Sequence, residues 1–180
     1  MSDTTPAQTD AADSLSKPQG RSKMLWLWLS LSVVVVDQFT KWAIVDRFVL
    51  YERIEINALL NVTRLHNYGA AFSFLGDQGG WQRWLFVVLS IVVTAIILVW
   101  LRRLPRAGHH WLAAALACIV GGAIGNVIDR VQYGYVVDFI QVHWQDAYFP
   151  TFNVADIAIS VGAFLLIVDS FLGSGRASDA

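Results

Sequence analysis

Three of the four aspartates in residues 121–156 stand out between two strongly apolar runs, and they are accompanied by two asparagines and an arginine. The acids are Asp129, Asp138 and Asp156. An ionisable group at the edge of a membrane is costly and therefore indicates function by default. Several of them at the facing ends of two apolar segments predict a site at that edge.

Asp138 and Asp156 are the strongest candidates for chemistry. Asp138 stands in an apolar context shortly after the third apolar run, and Asp156 opens the fourth. The intervening loop returns the chain, so we expect the two carboxyls to lie side by side, with no basic residue close to either in sequence. Two such carboxyls share a proton. One then acts as a general base on water and the other as a general acid, which is aspartic-protease chemistry.

The sequence offers few residues for other catalytic mechanisms. The sequence has no H-E-x-x-H and no G-x-S-x-G motif, and its single Cys118 lies inside an apolar run as a small buried side chain. His66 and His143 are isolated and are predicted to be ordinary residues. We therefore expect no metal and no cofactor.

Several further polar residues accompany the acids. Asp37 and Lys41 are spaced i, i+4 near the outer end of the first apolar segment, where they can pair while the lysine stem reaches outward. Such a pair either fixes helix packing or supports a site. Asn126, Asp129 and Arg130 share one helix face, and the alternative to a site there is a simple ion pair between Asp129 and Arg130.

Three local signals concern the backbone. Asn153 is a plausible N-cap of the helix that Asp156 opens, where an acid is also favoured by the helix dipole. Gly121 and Gly125 form a G-x-x-x-G, which lets another helix approach closely. In residues 67–73, Asn67 is followed by several small residues, including Gly69. Small residues there allow either a close approach of the backbone to a ligand or a tight turn before the next helix.

Composition places the chain in the membrane class. It has 180 residues, of which 56% are hydrophobic and 15% charged, with a mean hydropathy of +0.50. We predict spans at residues 24–45, 81–101, 111–128 and 154–172, a disordered tail at 1–23 and a short tail at 173–180. A cleaved signal peptide is the alternative for the first span, but no A-x-A-like site follows it.

The distribution of basic residues predicts the orientation. Arginines cluster between the second and third spans, and the other basic residues of the tails are on the same side, so both termini are predicted to be cytoplasmic. The two long loops then lie outside. Residues 48–65 of the first loop contain β-branched residues in partial alternation, which predicts short strands in a small sheet at the outer surface.

Five motifs, in order, closely resemble those of the lipoprotein signal peptidases (signal peptidase II), bacterial inner-membrane aspartyl proteases. The resemblance covers nearly all of residues 24–172. The motifs are Asp37-Gln38-Phe39-Thr40-Lys41, Asn67-Tyr68-Gly69-Ala70-Ala71-Phe72-Ser73, Gly125-Asn126-Val127-Ile128-Asp129-Arg130, Val137-Asp138-Phe139 and Phe152-Asn153-Val154-Ala155-Asp156.

The resemblance implies a membrane all-α four-helix bundle with a small extracytoplasmic β-cradle at about residues 46–75. It implies an endopeptidase that cuts the signal peptide from a prolipoprotein N-terminal to its diacylglyceryl-modified cysteine, with membrane lipid around it. Asp138 and Asp156 match the catalytic pair. The matching substrate-binding or supporting residues are Asp37, Lys41, Asn67, Gly69, Asn126, Asp129, Arg130 and Asn153.

Two other classes of function account for parts of the sequence. A small proton- or ion-coupled carrier would use the same acids as a relay, but it predicts ionisable groups through the full membrane depth. The inner halves of the predicted spans carry only Asp169, near the inner end of the fourth, so a continuous path is unsupported. A purely structural subunit leaves Asp138 and Asp156 unexplained. Scattered basic residues indicate no nucleic-acid partner, and no obligate protein partner is predicted.

Overall fold

The computed structural model describes residues 22–69, 80–105 and 108–174. In chain order its elements are a 3-10 turn (Lys23–Trp26), α1 (Leu27–Arg47), β1 (Arg53–Asn57), β2 (Leu60–Asn67), α2 (Trp81–Arg103), α3 (His110–Tyr133), β3 (Val136–Trp144), β4 (Ala147–Tyr148) and α4 (Val154–Ser174). Within these described ranges, four helical segments are long and apolar enough to cross a membrane. The predicted four-helix class with a small sheet is confirmed.

The ends of the helices differ from the predicted spans. Lys23, which the prediction placed in the tail, begins the first helical turn, and its buried side chain donates to the Gly108 carbonyl and contacts the His110 ring. Helix α3 continues five residues past the predicted end to Tyr133, and α4 reaches Ser174. The acid-bearing end of α3 is therefore regular helix, which fixes the spacing of its polar side chains.

Helix α3 is the centre of the bundle and contacts each of the other three helices. Its alanines, glycines and leucines are mostly buried, whereas α1, α2 and α4 turn large apolar side chains outward. On α1 the pattern is inverted relative to a soluble helix: Trp28 and Phe39 are exposed, while Ser30, Asp37 and Lys41 are buried. Lipid accepts apolar side chains, so the interior of such a bundle is where polar groups find partners.

Small residues on α3 allow close helix contacts on two sides. A Cβ on Gly121 would lie 2.8 Å from the Ser30 carbonyl oxygen of α1, and one on Gly122 would lie 2.3 Å from the Ala155 carbonyl oxygen of α4. Both distances are far below ordinary contact, so only glycine fits. The close approach predicted at Gly121 therefore occurs, and Gly122 adds the contact that brings the start of α4 against α3.

The sheet has the antiparallel order β1-β2-β3-β4. Leu65 of β2 pairs with Asp138 of β3, and the ladder has irregularities in both β1 and β2. Gly134, with φ of 87°, ends α3 through its N–H bond to the Arg130 carbonyl oxygen and turns the chain into β3. After β4, Phe152 pairs with Ile140, which returns the chain to α4.

The strand prediction for the loop between α1 and α2 is confirmed, but it was incomplete. Half of the sheet, β3 and β4, comes from the segment between α3 and α4, so the predicted limits of 46–75 miss these strands and include the last two residues of α1. Residues 70–75 of that range lie outside the described residues. The run Val136–Trp144 is rich in β-branched and aromatic residues, which was the available signal for a strand.

Candidate active site

Asp138 lies in the middle of a buried section of β3, with 3% of its surface exposed. Its Oδ1 accepts a hydrogen bond from Asn153 Nδ2 at 2.7 Å, and its Oδ2 accepts one from Asn67 Nδ2 at 3.0 Å. Asn67 is at the end of the neighbouring strand β2 and Asn153 precedes α4. Sheet and helix together therefore fix the orientation of this carboxyl.

Asp156 is in the first turn of α4. Its backbone N–H donates to Asn153 Oδ1 at 3.0 Å, and its Oδ2 accepts from the Asn153 backbone N–H at 3.2 Å. This reciprocal pair is a capping box and confirms Asn153 as the predicted N-cap. The remaining oxygen, Oδ1, accepts from Asn126 Nδ2 at 2.8 Å, so α3 also holds the group.

One asparagine joins the two acids. The fully buried Asn153 carboxamide donates to Asp138 with its nitrogen and accepts the Asp156 N–H with its oxygen. The same nitrogen lies 3.2 Å from Asn126 Oδ1. Asp138 and Asp156 therefore lie close together, as expected. Asn153 contacts both of them, and Asn126 contacts Asp156 and Asn153.

The electrostatics of Asp138 suit acid–base chemistry. Burial raises the pKa of Asp138, and the neighbouring negative charge of Asp156 raises it further, to about 7. Hydrogen bonds from Asn67 and Asn153 and the charge of Lys41 oppose this rise only in part. A carboxyl with a pKa near neutrality can hold a proton at rest and give it up during a reaction.

Lys41 is buried inside the bundle, between α1 and α3. Its Nζ pairs with Asp37 Oδ2 at 2.9 Å and with Asp129 Oδ2 at 3.0 Å, and it donates to Asn126 Oδ1 at 3.0 Å. The predicted Asp37–Lys41 pair is confirmed. The expected outward reach of the lysine is wrong, because the side chain is 3% exposed and turns toward α3. The cation partner of Asp129 is Lys41 and not Arg130.

Arg130 and Asn67 hold the backbone where β2 ends. Arg130 Nη2 donates to the Gly69 carbonyl oxygen at 2.9 Å, and its guanidinium lies over the Phe86 ring. Asn67 Oδ1 accepts from the Gly69 N–H at 3.0 Å. The rest of the predicted close-approach stretch, residues 70–73, lies outside the described residues.

A cavity of about 1060 Å³ adjoins the two acids. Asp138, Asp156, Asn126 and Arg130 contribute to its lining at the level of the sheet. Its other walls include Phe86 of α2, Ala123 of α3 and, further along α4, Ile157 and Val161. The cavity thus runs from the polar pair along apolar helix surfaces, as a site for a membrane-embedded ligand requires.

Sequence reasoning missed one well-connected polar residue. Gln38 Nε2 lies 2.8 Å from Asp129 Oδ1, 3.1 Å from the Gly125 carbonyl oxygen and 3.2 Å from Asp37 Oδ2. Its position directly after Asp37 was the available signal. His66, which stacks on Tyr135, also lines the cavity. Among the described residues, no group of three or more His, Cys, Asp or Glu side chains is arranged to hold a metal ion.

Known proteins resemble this chain over most of its length. A family model described as signal peptidase (SPase) II matches residues 29–172. A lipoprotein signal peptidase of Pseudomonas putida is 54% identical over 151 residues, which cover 83% of this chain and 88% of the relative. One from Pseudoalteromonas translucida is 46% identical over 159 residues, covering 88% and 95%.

Solved structures agree with the sequence relatives. A bacterial membrane enzyme solved by the in meso method at 2.3 Å resolution superposes with a TM-score of 0.78 at 26% identity, covering 89% of this chain and 96% of the other. A second such enzyme, at 1.9 Å resolution, gives 0.70 at 28% identity and covers 85% and 96%. The chain therefore belongs to the signal peptidase II family.

Proposed function

We propose that this protein is a membrane aspartic endopeptidase that removes the signal peptide from prolipoproteins, cutting N-terminal to the diacylglyceryl-modified cysteine. The observation that carries the proposal is the pair Asp138 and Asp156, joined through Asn153 at one end of a largely apolar cavity. Family membership supports the peptidase activity, and the pair supports its aspartic type. The same family membership gives no support to the carrier alternative.

In the proposed reaction, the pair shares one proton. Asp156, hydrogen-bonded by Asn126 and by the Asn153 N–H, carries the negative charge and takes a proton from water as that water attacks the scissile carbonyl. Asp138 carries the proton and donates it to the carbonyl oxygen. The C–N bond of the tetrahedral intermediate then breaks as Asp156 gives its proton to the leaving amine, while Asp138 takes back the proton of the hydroxyl formed from the carbonyl oxygen, which restores the starting state of the pair. These steps need only the two carboxyls and water.

The remaining residues of the predicted site have supporting roles in this proposal. Asn126 and Asn153 orient the acids. Asn67, Gly69 and Arg130 hold the backbone at the edge of the cavity, where the substrate chain would enter. The buried ion pairs of Lys41 with Asp37 and Asp129 lie next to the backbone that precedes the two acids.

The substrate enters this scheme as a membrane-embedded chain. A signal helix fits the apolar walls that run along α2, α3 and α4 below the pair, and acyl chains on the cysteine remain in the lipid. Arg102 and Arg103 end α2, which supports a cytoplasmic location for that end and for both termini. The sheet and the pair are then on the outer side of the bacterial inner membrane, where a signal helix ends.

Cleavage of a diacylglyceryl-modified prolipoprotein by the purified protein tests the proposal. We expect one cut directly before the modified cysteine, identified by the mass of the product. A precursor with that cysteine replaced by serine cannot be lipidated and should remain intact. Equal cleavage of both precursors would remove the lipid requirement. Cleavage of neither would reject the proposed reaction, and proton flux in liposomes would then test the carrier.

The raised pKa of Asp138 predicts the pH dependence of cleavage. Because the group is protonated below about pH 7 and loses its proton above it, the fraction of enzyme with a proton on the pair decreases as pH rises. We expect kcat to fall across neutrality on the alkaline side. The measurement is the initial rate at saturating substrate over a pH series, with a thermal melt at each pH. A rate that rises through neutrality would contradict this assignment.

A further inference from the structure

Two buried carboxylates make matching contacts with the backbone beside the candidate catalytic acids. Asp37 Oδ1 of α1 accepts the Ala155 N–H at 2.9 Å, and Ala155 directly precedes Asp156. Asp129 Oδ2 of α3 accepts the Val137 N–H at 3.0 Å, and Val137 directly precedes Asp138. Each supporting carboxylate therefore holds the chain one residue before one member of the pair.

These backbone groups need such partners. The first N–H groups of a helix have no acceptor within the helix, and Ala155 is in the first turn of α4. Val137 is buried at the start of β3, where an unpaired N–H would cost free energy. The two bonds therefore position the backbone of α4 and of β3 relative to the two helices that carry the carboxylates.

Among the described residues, two side chains, Lys41 and Gln38, bond to both of these carboxylates. Lys41 Nζ lies between Asp37 Oδ2 and Asp129 Oδ2 and supplies a single positive charge for two negative ones. Gln38 Nε2 reaches the same pair, at 2.8 Å from Asp129 Oδ1 and 3.2 Å from Asp37 Oδ2, and also reaches the Gly125 carbonyl oxygen. Gln38 thus adds uncharged hydrogen-bond donors at a place where two carboxylates share one ammonium.

We propose that Gln38 is a positioning residue, whose carboxamide holds Asp37 and Asp129 together so that each fixes the backbone beside one acid of the pair. The proposal rests on the proposed function. Gln38 acts through Asp37 and Asp129: its Nε2 donates to those two carboxylates and to the Gly125 carbonyl oxygen of α3. Loss of its donors leaves the carboxylates to repel each other and to rotate away from the Val137 and Ala155 N–H groups.

The consequence is a change in the separation and orientation of Asp138 and Asp156. A misplacement of about 1 Å in an active site can cost about 100-fold in rate. Binding of the substrate along the cavity walls does not involve Gln38, which is not among the residues that line the cavity. A loss of Gln38 should therefore appear in kcat rather than in KM.

Two substitutions and one control test the proposal. Gln38→Leu removes the donors at similar volume, and Gln38→Glu replaces the donors by a third carboxylate at nearly identical shape. We expect kcat to fall about 10- to 100-fold for Leu and further for Glu, with KM within about twofold of wild type. Thr40→Val is the control, because among the described residues the Thr40 hydroxyl donates to the Val36 and Asp37 carbonyl oxygens of its own helix and to neither carboxylate, so its kcat should not change.

A packing role predicts the opposite order, since Glu preserves the volume of Gln better than Leu does. Equal or better activity of Gln38→Glu than of Gln38→Leu would therefore overturn the proposal. A rise in KM with unchanged kcat would also overturn it, because it would place Gln38 in contact with substrate. Thermal melts of all three variants show whether each is folded, so that a change in kcat or KM is not mistaken for unfolding.

Amide hydrogen exchange gives a readout that does not depend on activity. In folded Gln38→Leu we expect faster exchange at Val137 and Ala155 than in wild type, whereas Thr40→Val should match wild type. Unchanged exchange at both amides would reject the positioning role. If the wild-type protein cleaves no lipidated precursor, the proposed function fails, and this exchange experiment still decides whether Gln38 fixes the two segments.

Discussion

Replacing either candidate catalytic acid, as Asp138→Asn or Asp156→Asn, should lower kcat for the lipidated precursor by about 100- to 10,000-fold, the range of a general acid–base contribution. An asparagine cannot take a proton from water at position 156. At position 138 it holds no acidic proton to give to the carbonyl oxygen. Each variant should therefore lose the reaction while the other acid stays in place.

Both variants should remain folded. Each asparagine keeps one acceptor oxygen and loses one hydrogen bond, because its amide nitrogen faces a donor. Against that loss, the substitution at 138 removes a carboxyl whose ionised form is disfavoured by burial and by the charge of Asp156. Thermal unfolding in detergent should therefore show a midpoint close to that of wild type.

Asp146→Asn is the matched control for this pair. Asp146 is an exposed acid in the turn between β3 and β4, so its replacement removes one negative charge from the same end of the bundle without changing the residues that line the cavity. We expect wild-type kcat and an unchanged melt. Wild-type activity in Asp138→Asn, or a loss in Asp146→Asn equal to that of the pair, would refute the assignment of the two acids.

A second observable links the two acids. The charge of Asp156 is one cause of the raised pKa of Asp138, so Asp156→Asn should lower the pKa of Asp138 while burial continues to raise it. The ¹³C carboxyl resonance of labelled aspartate, assigned by its absence in Asp138→Asn, follows this titration. A titration of Asp138 that is identical in wild type and Asp156→Asn would mean that the two carboxyls do not interact.

The four helices were predictable because their signal is local. Each span is an apolar run long enough to cross the bilayer, and the G-x-x-x-G at Gly121 indicated a central helix. The nearness of Asp138 and Asp156 was also predictable, because a loop that joins the facing ends of two membrane spans returns the chain to the end of the bundle that it left. In both cases the prediction depended on the spans and not on the partner of any one side chain.

The partners of the polar side chains could not be predicted in the same way. Sequence spacing gives the face of a helix but not the neighbour that this face meets. Lys41 was therefore expected to reach outward, although its face of α1 meets Asp129 of α3. Asp138 was expected in a loop because its acid interrupts the β-branched and aromatic run of β3 and obscures the alternation of a strand that pairs with β2.

Lys41→Met should cause the largest loss of stability among the supporting residues. The lysine is the ion-pair partner of both Asp37 and Asp129, whose side chains are almost fully buried. Breaking a buried pair by removing one partner costs about 3–5 kcal/mol, because an uncompensated charge stays behind. Here two carboxylates lose the same ammonium, and Asn126 loses a donor at the oxygen next to the catalytic pair.

The measurement is thermal unfolding in detergent, and we expect a clear fall of the midpoint together with a loss of cleavage. The triple variant Asp37→Asn/Lys41→Met/Asp129→Asn is the test of cause, since it removes both unpaired charges while each amide oxygen can still accept its backbone N–H. Its midpoint should rise well above that of Lys41→Met. If the triple variant is no more stable than the single one, buried charge is not the reason for the loss, and Lys41 stabilises the bundle through its packing instead.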